Sequence, residues 1–84
     1  MTAIETIKEL FTLKTDLVTS ASKSADFTDD DALLKSVCRW AAQRCDEDEE
    51  AVVKNAQSLA ANMWGGDMTI LRDILEVGLE ADSD

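Results

Sequence analysis

Ile4, Ile7, Phe11, Val18 and Ala21 recur at three- and four-residue steps, and Leu10, Leu13 and Leu17 widen the same stripe. That is the period of a helix with one buried face. Thr2 with Glu5 makes an S/T-x-x-E capping box, so a first helix is predicted over residues 2–25. The small, polar stretch TSASKSADFT, residues 19–28, should fray its end and hold the first loop.

Three more stripes follow. Leu33, Leu34, Val37, Cys38, Ala41 and Cys45 predict a second helix over 28–45, with Thr28 as N-cap and Asp29 to Asp31 in its first turn. Val52, Val53, Ala56, Leu59, Ala60 and Met63 predict a third over 46–64, opened by a second capping-box arrangement of Asp46 and Glu49. Gly65 and Gly66 are a stop signal at its end. Ile70, Leu71, Ile74 and Leu75 predict a fourth over 68–79, capped by Asp67 or Thr69 and weakened near its end by Gly78.

No strand alternation of useful length and no Asn-Gly or Asp-Gly hairpin turn is present. The prediction is an all-α fold, a compact four-helix bundle or orthogonal four-helix array. One helical domain should span 1–79, with an acidic mobile tail over 80–84. Short second and third connections favour packing between sequence neighbours. An up-down-up-down bundle would then gather Glu76, Glu80, Asp82 and Asp84 around Asp46 to Glu50, with Glu5 and Glu9 at the same end.

Composition sharpens this picture. The chain has 84 residues, 45% of them hydrophobic, no proline and three glycines, which suits one helical core. Its formal net charge is −10, from 18 acids and 8 bases, with no His. Such a field repels nucleic acid and anionic lipid and suits a basic protein surface. No apolar run is long enough to span a membrane, and MTAIETIKEL lacks the basic region of a signal peptide. Cys38 and Cys45, seven residues apart on one helix, would sit about 10 Å apart, beyond disulfide reach. They are expected to be buried, reduced thiols in the cytoplasm (the host cell cytoplasm if the protein is virus-encoded).

Candidate chemistry narrows quickly. Counted as an EF-hand from Asp46, the required Gly and Glu positions hold Ala51 and Gln57; from Asp26 they hold Asp31 and Val37. Without His, neither a zinc site nor a Ser-His or Cys-His pair is expected. No metal, no cofactor and no catalytic residue is therefore expected, and no enzyme. WGGDMT matches no phosphate-binding loop. A helix opening on five carboxylates does not suit the DNA major groove, so direct nucleic-acid binding is not expected. Acyl carrier proteins share the small, acidic, four-helical profile but carry an Asp-Ser-Leu motif at the second helix. Here that point reads FTDDDALL, with no Ser.

What remains is an interface. The run Asp46, Glu47, Asp48, Glu49 and Glu50 exceeds what helix capping needs, with Asp48 and Glu50 as the surplus. Trp64, with Met63 and Met68, forms a candidate apolar anchor at the corner between the third and fourth predicted helices. Trp40, at the edge of its stripe, and Phe11 and Phe27 read as core or core edge. The expected function is a non-enzymatic protein-binding module of inhibitor, immunity or phage- or plasmid-encoded accessory type, docking on a basic surface of a protein partner. Two alternatives stand beside it. One is a DNA mimic, which needs a continuous acidic ribbon. The other is a structural subunit of a viral or other assembly, or a homo-oligomer, which needs an exposed apolar stripe.

Overall fold

In a computed structural model the described residues form an all-helical fold of five helices: α1 Ala3–Leu10, α2 Thr15–Ser24, α3 Asp30–Cys45, α4 Glu49–Met63 and α5 Thr69–Ser83. The structure describes residues 2–12, 14–63, 65–66 and 68–83, with the backbone alone for Met63 and for 81–83.

The helix predicted over 2–25 is therefore two helices, and the four-helix description is corrected to five. At about 100° per residue, an unbroken helix would place Lys14 within about 40° of Ile7, Leu10 and Ala21, in the middle of the buried face. Burying an unpaired ammonium there is costly. The chain breaks instead. The Phe11 and Thr12 N–H groups donate to the Lys8 and Glu9 carbonyls, each at 3.1 Å, which tightens the last turn of α1. Lys14 is left exposed and ion-paired with Glu9.

Caps also shift from their predicted places. Thr2 caps α1 as expected, accepting from the Glu5 N–H at 3.1 Å. For α3 the cap is Asp29, not Thr28: its carboxylate accepts from the Ala32 N–H at 2.7 Å. Thr28 turns to Asp26 and donates its N–H (3.0 Å) and its hydroxyl to one carboxylate oxygen. Those bonds, the hydroxyl first, hold the Asp26 carboxyl below its ordinary value. Gly65 and Gly66 end α4 as predicted, with φ of 60° and 80°, and the Gly66 N–H donates to the Ala60 carbonyl at 3.0 Å. The fourth predicted helix runs on past residue 79, since α5 is helical through Ser83 and takes in most of the expected tail.

α3 is the hub and packs against α4, α1 and α2. Its Leu33, Val37, Cys38 and Ala41 are fully buried, together with Ile7, Leu10, Ala21, Ala56, Leu71 and Leu75 from the other helices. The expectation that sequence neighbours pack together holds for α3 and α4. It does not describe α5, whose main partner is α2 rather than α4. Gly78 is the reason: it brings the two helices close beside Ser22 and Val18. At the other end of α5, Arg72 donates to the Phe27 carbonyl (3.0 Å) and to Asp30 (3.2 Å). Trp40 is core, 6% exposed, and its indole N–H donates to Ser20 at 3.0 Å. Phe11 and Phe27 are half-buried against the same core.

Candidate functional site at the α3–α4 junction

The acidic run 46–50 is the turn that reverses the chain from α3 into α4. Asp46 closes α3 in the left-handed region, at φ 55° and ψ 49°, with its N–H donating to the Ala42 carbonyl. The Glu47 N–H shares that acceptor at 2.9 Å. The pattern resembles a glycine-type helix stop made by an aspartate. α4 then starts at Glu49, and its cap is Asp48: the side chain accepts from the Ala51 N–H at 3.2 Å, and the carbonyl accepts from the Val52 N–H at 3.1 Å. The N-cap predicted at Asp46 thus lies two residues on, at Asp48, and with Ala51 at the third helical position the reciprocal half of the predicted capping box does not form.

Two more carboxylates have structural partners. Glu47 reaches across the molecule and accepts from the Ala3 N–H, at the open N-terminal turn of α1. Beside it, the Thr6 hydroxyl lies 3.3 Å from the Cys45 sulfur. Glu49 is half-buried and takes an ion pair from the Arg39 guanidinium at 3.1 Å. Asp46 and Glu50 are exposed; Asp46 closes α3 through its backbone, and neither carboxylate supplies the cap of α3 or α4. The surplus is therefore Asp46 and Glu50, not Asp48 and Glu50.

Glu50 opens onto a shallow groove between α3 and α4, whose walls include Lys35, Val53, Lys54 and Gln57. Lys35 pairs with Asp31 at 2.9 Å, which holds its ammonium above the ordinary lysine value. Lysines thus interrupt the acids along this face. Asp30 and Asp31 line a separate open pocket with Leu34, Ala60 and Met68, next to the groove at Gln57.

Of the predicted apolar anchor of Met63, Trp64 and Met68, the described residues include the Met68 side chain alone. Met68 is buried, 6% exposed, and belongs to the core. Trp64 and the Met63 side chain lie outside the described residues. Sequence reasoning missed two exposed apolar residues, Ile70 at 51% and Val77 at 62%. A signal was present: apolar residues at 70, 71, 74, 75, 77 and 79 cover too wide an arc of α5 for one buried face.

Cys38 and Cys45 are both free. Burial, with a smaller contribution from the Glu49 charge, pushes the Cys38 thiol up to about 12, so it is inert rather than nucleophilic near neutral pH. Among the described residues no group of three His, Cys, Asp or Glu side chains is placed to hold a metal ion. Among the same residues no helix is long and apolar enough to cross a membrane.

Comparison with protein-family models, with curated proteins and with solved structures finds no significant match to this chain.

Proposed function

We propose that the protein is a small acidic, non-enzymatic binding module of inhibitor, immunity or accessory type. It works in the cytoplasm, or the host cell cytoplasm if virus-encoded, and docks its α3–α4 junction on a basic surface of a protein partner. The observation that carries this reading is Asp46. A left-handed backbone favours glycine or asparagine, and a carboxylate at the C-terminal end of α3 meets the negative end of the helix dipole. An acid held there at a cost to stability is better accounted for by what it meets outside the chain. Exposed Glu50 lies in the first turn of α4, and the two extend the field of a chain with net charge −10. The same field steers a basic partner toward this end. Met63, the last residue of α4, and Trp64, next to it in the chain, remain the apolar anchors that would lock the complex.

The DNA-mimic alternative is less well supported. Its continuous acidic ribbon is interrupted along the α3–α4 groove by Lys35 and Lys54.

The test is kinetic. The partner is captured from the native host by crosslinking to the purified chain, identified by mass spectrometry, and its association rate measured between about 50 and 500 mM salt. A fall of at least about tenfold is expected, with a further loss in the Asp46→Asn, Glu50→Gln double variant. A rate indifferent to both salt and the double variant would overturn the reading.

A further inference from the structure

A second surface stands apart from the junction. On α5, Ile70, Ile74 and Val77 follow at i, i+4 and i+7 and share an arc of about 60°. Ile70 and Val77 are 51% and 62% exposed, and Ile74 is half-buried at the edge of the core. On one side of this row lie Leu71, Leu75 and Gly78, turned into the molecule. On the other lie Asp73, Glu76 and Glu80, all exposed. The base on this helix, Arg72, is occupied by the Phe27 carbonyl and Asp30. The result is an apolar row with an acidic border, two helical turns or about 10 Å long.

We infer that this face of α5 docks an amphipathic helix of another protein, one whose own apolar row is bordered by lysine or arginine. The identity of the occupant follows from charge. A second copy would set Asp73, Glu76 and Glu80 against their own counterparts, in two chains that each carry −10. Like charges in that position work against association. A basic border instead meets the acidic one while the apolar rows close between them. The size fits too, because aliphatic side chains at i, i+4 and i+7 over two turns have the spacing of the anchors by which helices recognise one another. The exposed apolar row is short, so the acidic border contributes a large share of the affinity and the complex weakens with salt. This inference shares the protein-binding reading proposed above, but it rests on different residues and is tested separately from them.

The probe is an 18-residue Leu/Lys peptide with leucines at helical i, i+4 and i+7 spacing, compared with a scrambled peptide of the same composition. Both are titrated into the 15N-labelled full chain. The expected result is shift changes concentrated on the amides of residues 69–80. Affinity should fall at least about tenfold in Ile70→Ser, Val77→Ser and by no more than about twofold in Asp46→Asn, Glu50→Gln. Both serine sites are exposed, and circular dichroism checks that the fold is kept. Equal affinity for the scrambled peptide, shifts centred on residues 46–50, or no binding would overturn the inference. So would a dimer, seen by ultracentrifugation, that the two serines dissociate. Peptide binding lost through Asp46 and Glu50 alone would remove the α5 site and leave the junction reading standing. Salt-indifferent capture of the native partner would do the reverse.

Discussion

Ser22 and Gly78 meet where α2 and α5 cross. A Cβ at position 78 would stand 2.3 Å from the Ser22 hydroxyl oxygen and 2.7 Å from Val18 Cγ1. The Ser22 oxygen in turn lies 2.6 Å from the Val18 carbonyl and 2.7 Å from the Leu75 carbonyl, one hydrogen serving both. Gly78 therefore sets the distance between the two helices, and through it the position of the exposed row on α5.

Two effects compete when Gly78 is replaced by Ala. Helix propensity alone would stabilise by about 1 kcal/mol. Overpacking against a hydroxyl and a valine costs about 1–3 kcal/mol, and the Val18 carbonyl, 3.0 Å from the new carbon, cannot rotate away. Net destabilisation of up to about 2 kcal/mol is expected, read as a lower urea midpoint at unchanged slope. A midpoint that rises would show that the helices are not held this closely.

Asp46 gives the opposite sign. Asp46→Gly removes both the left-handed penalty at φ 55° and the carboxylate at the negative end of α3. A gain of up to about 1 kcal/mol is expected in the same urea measurement. Loss of stability would mean that the side chain has a structural role and would weaken its assignment to binding.

Asp48 and Glu50 separate cap from surplus. Asp48→Ala should cost about 1 kcal/mol through the lost bond to the Ala51 N–H. Glu50→Ala should stay within about 0.5 kcal/mol. Reversing both to lysine is therefore not neutral to the fold, since a cation at residue 48 also meets the positive end of α4. Equal effects of the two alanine variants would reject Asp48 as the cap.

These positions show what the sequence could and could not reveal. Thr2 was legible because its surroundings offer one capping hydroxyl and one Glu at the right spacing. In TDDD every residue is a good cap, and in DEDE both aspartates are, so local chemistry cannot choose among them. The choice at 46–50 is made by distant groups: the Ala3 N–H takes Glu47 and Arg39 takes Glu49. The break between α1 and α2 has no Gly or Pro to announce it, and its cause is Lys14 falling on the apolar face. Gly78 read as a weak helix end because a sequence does not show that another helix lies against it. Met68, placed beside Trp64 by adjacency, is drawn into the core.

Cys38 links burial to pH. Its folded thiol is held near 12 against an ordinary value of 9.0, chiefly by burial, so the folded chain keeps that proton more tightly than the unfolded chain. The resulting stabilisation is fully present below about pH 9 and is lost as pH rises toward 12. Lys35, raised by Asp31, adds to the loss in the same direction above its ordinary 10.5. Urea midpoints should therefore fall between pH 9 and 11, and Cys38→Ala should flatten that fall while costing some stability at pH 7 through the space it leaves. Thiol labelling gives an independent readout. At pH 8, half-buried Cys45 should react in the folded chain, whereas Cys38 should wait for opening and speed up with urea. Two thiols that label together and fast in the absence of urea would mean that Cys38 is not enclosed by the core.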